Sequence, residues 1–161
     1  LHVAMEMLAH AAGVKLFHVP YQGAGPAITA LLGGQVEALA SGPSAVIAHV
    51  KSGKFRALGG WGARRLAAMP DLPTFRELGL DVEFYIWAGM FAPATTPEPA
   101  LKTLRDAARQ AANDADFKAT MDKLATPIAY LDAPEFAAFV DRDAKMLAAA
   151  LKRIGRIEDR K

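Results

Sequence analysis

The residues best placed to do chemistry lie in one run, Tyr21-Gln22-Gly23-Ala24-Gly25-Pro26, just after a short apolar stretch. Lys15 to Val19 carries β-branched and aromatic residues and is stopped by Pro20, so it reads as a strand running into a turn. Gly23 and Gly25 give that turn its backbone freedom, and Pro26 suits the first helical position, where its missing N–H costs nothing. Gly33 and Gly34 are expected to end the helix in a left-handed cap. Such a turn aims the backbone N–H groups of Gly23 and Ala24, and the positive end of a helix, into the space beyond the strand. An anion can bind there without any charged side chain. Tyr21 adds a hydroxyl at the strand's end, and Gln22 adds donors and an acceptor without charge.

A second turn of the same kind follows. Val36 to Ala40 reads as a strand, Ser41-Gly42-Pro43-Ser44 as its turn, and a helix runs on to about Val50. Gly42-Pro43-Ser44-Ala45-Val46 invites comparison with the nucleophile elbow G-x-S-x-G. Val46 stands where the second glycine is needed, and Pro43 removes the N–H directly before the serine. Serine-hydrolase chemistry is therefore disfavoured. Ser41 and Ser44 are read instead as hydroxyls for a ligand or as parts of the helix start. His10, His18 and His49 show no metal-ligand spacing with each other or with a carboxylate. Asp141 and Asp143 flank Arg142 on what reads as an exposed helix side, Arg64 and Arg65 sit in a loop, and no cofactor motif is present.

The elements that must position these groups alternate. Leu1 to Ala12 is a helix stopped by Gly13, and Phe55 to Gly60 is a third strand. Pro73 to Leu78 reads as a short helix ending at Gly79, and Phe84 to Ala92 as a long apolar strand. Helices follow at about Glu98–Ala112 and Asp116–Leu124, then a short strand over Pro127–Leu131. Asp132 and Glu135 form a capping box for a last helix, whose stripe is Phe136, Val140, Leu147, Leu151 and Ile154. Repeated strand–turn–helix units predict an α/β fold, a parallel or mixed sheet flanked by helices, with helix starts gathered at one sheet edge.

Composition narrows the partners. With 161 residues, 52% of them apolar, the chain can bury one sizeable core, and a net charge of +2 without a basic stripe gives nucleic-acid binding no support. The absence of cysteine excludes disulfides and thiolate metal sites.

His18 to Glu37 resembles the signature of the extracytoplasmic solute receptors of tripartite tricarboxylate transporters, the Bug family of Bordetella-type bacteria. The family pattern is similar to H-V-P-Y-(K/R/Q)-G-x-G-P-A-x-x-x-L-L-G-G-Q-V. Pro70-Asp71-Leu72-Pro73-Thr74 with Glu77 and Gly79, and Trp87, Gly89, Ala92, Pro93 and Pro97, fit the same family. The resemblance covers the chain but only the later half of a typical receptor. It implies a two-lobed periplasmic binding fold, with a small organic carboxylate held between the lobes and delivered to membrane transporter subunits. Residues 1–86 would belong to the second, ligand-binding lobe, and 87–161 to a crossover strand and the C-terminal helical part of the first lobe. His2 falls where the family has a histidine near the cleft, Gln22 stands where it often has a cation, and Trp87 reads as an anchor at the hinge. Two other readings remain: an α/β enzyme acting on a carboxylate or phosphate ester, and an interaction fragment with no ligand. Without a sheet to cover, the last helix would fold back on the first 92 residues, pair with a second copy, or fray. Self-association is the expectation, with a homodimer built on residues from about Trp87 onward.

Overall fold

Helix formation follows the apolar spacing closely. The computed structural model describes residues 1–154, and the side chain of Ile154, last in the expected stripe, lies outside the described residues. Six helices are present among them: α1 (His2–Ala12), α2 (Ala24–Leu32), α3 (Pro43–Lys51), α4 (Glu98–Asn113), α5 (Ala115–Lys123) and α6 (Ala133–Ile154). Gly13 ends α1 at φ 67°, and Val14 N–H reaches back to Ala9 O at 3.0 Å, closing the helix with a left-handed residue as read from the sequence. At the end of α2 only Gly34 is left-handed (φ 68°), while Gly33 keeps φ −84°. That helix also starts two residues before Pro26, so Gly25 lies in its first turn and takes no positive φ.

The sheet is where the structure departs from expectation. Among the described residues no regular strand forms over 15–19, 36–40, 55–60, 84–92 or 127–131. Pairing is limited to one parallel bridge, Gly60 with Thr74, in which Gly60 N–H donates to Pro73 O and Phe75 N–H donates to Gly60 O, both at 2.9 Å. A strand exists only through a ladder of hydrogen bonds to a neighbour, and beyond that bridge and the single bond from Phe84 N–H to Trp61 O the described segments form no ladder. The expected helix at 73–78 is a single turn instead, closed by Leu78 N–H on Thr74 O and by Gly79 at φ 82°. Its frame is an ion pair: Arg65 Nε donates to both Glu77 oxygens at 2.9–3.0 Å, and Glu77 accepts from Thr74 N–H at 2.7 Å. Arg65 is therefore committed to the loop and not free to steer an anion.

Large apolar side chains are poorly covered. Most buried core positions are alanines (Ala4, Ala9, Ala27, Ala30, Ala125, Ala150), joined by Phe75 and Val82, whereas Phe17 is 92% exposed and Phe91 71%. The last helix takes the first of its three options and folds back, packing on α1. Trp87 sets its edge against Phe136 and Phe139, with ring centres 5.5 and 5.8 Å away, and its Nε1–H donates to Asp143 Oδ2 at 3.0 Å. Asp143 thus faces the crossing segment and not open solvent. Gly89 is required beneath this cluster, because a Cβ there would stand 2.3 Å from Phe136 Cζ.

Asp132 joins α4 to the start of α6. Its carboxylate accepts from Arg105 Nε and Nη2 at 2.8 and 2.9 Å and from Ala133 N–H at 2.8 Å. The Arg105 guanidinium, helped by the Ala133 amide, holds the Asp132 carboxyl well below the usual carboxylate range. A carboxylate depressed in this way adds stability that is present above about pH 4 and lost as pH falls through the folded-state value. Asp132→Asn is expected to lower the melting temperature at pH 7 and to flatten its decline below about pH 4. Melting curves from pH 7 to pH 2 check this, and an equal loss at both ends would contradict it.

Candidate functional site

The first turn is built by a glycine in a conformation that side chains avoid. Gly23 has φ 104° and ψ 179°, caps α2, and sends its N–H to Tyr21 O at 2.9 Å. Its amide is thus already used, which corrects the expectation that Gly23 would donate to a ligand. What remains is narrower. In the first turn of α2, Ala24 and Gly25 keep N–H groups without an intrahelical acceptor, and Pro26 has none to offer. No acidic residue lies in that first turn to compete for them, and a Cβ added at Gly23 or Gly25 would meet nothing within 4 Å. The space above the turn is open. Gln22, Gly23 and Ala24 are exposed and Tyr21 is half-buried.

The second turn also caps its helix with a glycine, but Gly42 is extended (φ −70°) and not in the positive-φ region. Gly42 caps α3, Pro43 occupies its first position as read from the sequence, and Ala45 N–H returns to Gly42 O at 3.2 Å. No serine hydroxyl caps this helix. Ser44 is exposed, Ser41 is half-buried, and His49 packs its ring against Phe55 at 5.0 Å. No hydroxyl–imidazole pair is formed here among the described residues, which leaves the elbow comparison without its base.

Ser41 and Ser44 line an open, mainly apolar concavity of about 2440 Å³, walled also by Leu8, Leu39, Ile86 and Phe136. His2 and the run Tyr21–Ala24 lie outside that lining. Sites for small ligands measure roughly 300–1,000 Å³, so this concavity is larger than a site for one small carboxylate needs. His2 is committed locally: its Nε2 is 3.4 Å from Glu6 Oε1, and its ring stacks on His18 with centres 3.7 Å apart. Sequence spacing missed that stack, because sixteen residues and a turn separate the partners. Among the described residues, no group of three His, Cys, Asp or Glu side chains could hold a metal ion, and no helix is long and apolar enough to cross a membrane.

The model of the tripartite tricarboxylate transporter family receptor matches residues 1–156. The chain belongs to that family. A Cupriavidus necator protein, the UPF0065 protein in the gbd 5′ region, is 33% identical over 155 residues, covering 96% of this chain and 47% of its own. The periplasmic binding protein BugD superposes with a TM-score of 0.80 at 31% identity, over 96% of this chain and 52% of BugD. MatC from Rhodopseudomonas palustris, solved with bound malate, gives a TM-score of 0.80 at 29% identity, over 92% of this chain and 52% of MatC. The chain thus spans about half the length of these relatives. Their shared architecture makes this a periplasmic-binding-protein fold, although the described residues form no sheet of their own.

The geometry of the turn separates backbone from side-chain recognition. Gly23→Val forces a branched side chain into a positive-φ conformation, a strain of about 1–3 kcal/mol, and fills the open space above the turn. In a receptor of the relatives' full length it is expected to weaken carboxylate binding at least tenfold, with Gln22→Ala costing less. Calorimetry on both variants checks the order, and abolition by Gln22→Ala alone would contradict it.

Proposed function

We propose that the chain is the later half of an extracytoplasmic receptor that captures a small organic carboxylate and presents it to membrane transporter subunits. One observation carries the reading: an uncharged glycine turn, open to solvent, at the start of α2 in a chain of this receptor family. The ligand carboxylate would rest on the Ala24 and Gly25 amides, with Tyr21 and Gln22 beside it and the Gly23 turn beneath it; Ser41 and Ser44, which line the concavity instead, would reach it only if the second turn moved toward the first. His2 supports the turn from α1. Each amide bond to a charged acceptor contributes roughly 1.5–3 kcal/mol, so a few suffice to define a site. Malate in MatC supports a carboxylate of that kind. Closure of two lobes would exclude water from the bound ligand.

In this reading residues 1–86 form the ligand-binding lobe, and 87–154 return to the other lobe. The concavity is then where strands and helices of that other half sit, and the unpaired segments at 15–19, 36–40 and 55–60 are strand positions. Where such polypeptide is lacking, a second copy of the chain is the available cover, which makes a homodimer. Binding, not catalysis, is the function.

The test is to release and identify small molecules that co-purify with a receptor of full family length, with calorimetry against malate. A bound organic carboxylate and no turnover of simple carboxylate or phosphate esters are expected. Ester hydrolysis lost in Ser44→Ala would establish the enzyme reading. Failure of every carboxylate to raise the melting temperature would leave an interaction fragment.

A further inference from the structure

Immediately ahead of the turn, three titratable side chains are packed into one stack. His2 and His18 lie face to face, centres 3.7 Å apart and planes within 12°. Glu6, one helical turn beyond His2 on α1, places Oε1 3.4 Å from His2 Nε2. That Nε2 is buried without a hydrogen-bond partner, and the side chains of His2 and Glu6 are only 22% and 12% exposed. His18, by contrast, is exposed and lies on the segment that leads through Pro20 into Tyr21 and Gly23. The stack is one contact between this segment and α1.

We infer that His2, backed by Glu6, is a positioning residue for His18 and the 21–24 turn, and that protonation of the pair opens the stack and moves the turn. The consequence for ligand capture rests on the carboxylate reading of that turn; the movement itself does not.

The chemistry runs as follows. Neutral imidazoles stack without penalty, and a first proton is compensated by the Glu6 carboxylate. A second proton sets two positive rings face to face at 3.7 Å with one carboxylate between them and solvent. His2 is the less exposed of the two rings, so His18 is the ring that leaves, and the backbone on either side of Pro20 follows it. The charged side chains that face His18 are His2 and Glu6; partial desolvation and the His2 ring push the His18 imidazole below its ordinary value, and Glu6 opposes them. Unprotonated His18 thus favours the folded arrangement, a preference lost as pH falls below about 6.5 and through the folded-state value.

The test is a pH titration of the full chain by NMR from about 7.5 to 4.5, without ligand, following the histidine ring protons and the amides of Tyr21, Gln22 and Gly23. The His18 ring and these three amides are expected to share one midpoint, below that of a free imidazole. His18→Phe keeps a flat ring for stacking but takes no proton, so the amides should cease to respond. Glu6→Gln removes the compensating charge and should lower the midpoint further. Amides that stay still while His18 titrates, or that titrate unchanged in His18→Phe, would overturn the inference. If His18→Phe does not fold, Glu6→Gln decides: a lower midpoint supports the coupling and an unmoved one overturns it. Because no ligand is present, failure here leaves the carboxylate reading standing, and failure to bind malate leaves this coupling standing.

Discussion

The contact on which the rest of the structure depends is the one Trp87 makes with α6. Its indole N–H is fixed on Asp143, its edge meets Phe136 and Phe139, and Gly89 leaves the gap that lets Phe136 approach. Aromatic pairs of this geometry contribute about 0.5–1.5 kcal/mol each beyond the area they bury. Together they hold a 22-residue helix back against the crossing segment and α1. The Arg105–Asp132 pair then fixes where that helix begins. Without the Trp87 cluster, α6 would have an apolar stripe and little to cover with it.

The same packing shows what the described residues lack. Alanines fill most of the buried positions, while Phe17, Leu58, Ile86, Met90 and Phe91 stay largely in water. Strand-like segments stand around an apolar concavity with one bridge among them. A close-packed interior does not tolerate such a gap. Relatives about twice as long share this half of the fold at TM-scores of 0.80; in the two-lobed reading proposed above, their other half would fill the concavity.

Local features were legible in the sequence. Apolar spacing and glycine stops placed α1 to α6 to within a residue or two, because those signals act within one turn of chain, while the helix read at 73–78 is only a single turn. The turn and helix at 23–32 were legible, as was their lack of charge, whereas the strand read over 15–19 does not form. The pairing of the strands was not legible, since it depends on neighbours that periodicity cannot name. Longer contacts were also hidden. Asp143 read as a solvated carboxylate until Trp87, 56 residues away, was seen to donate to it. Asp132 read as half of a capping box, whereas Arg105 and the Ala133 amide take its carboxylate. Gly23 was expected to present its amide, but the tightness of the turn spends that group on Tyr21 O and shifts the donors one residue on.

That shift locates the central claim in two backbone groups. The amides of Ala24 and Gly25 are donors without an intrahelical acceptor at the helix start, and a Cβ added at Gly23 or Gly25 would meet nothing within 4 Å. The most direct measurement is a structure of a receptor of full family length with malate bound. A carboxylate oxygen about 2.7–2.9 Å from the Ala24 and Gly25 nitrogens is the predicted result. A carboxylate held by arginine or lysine side chains, with both amides facing only water, would contradict it.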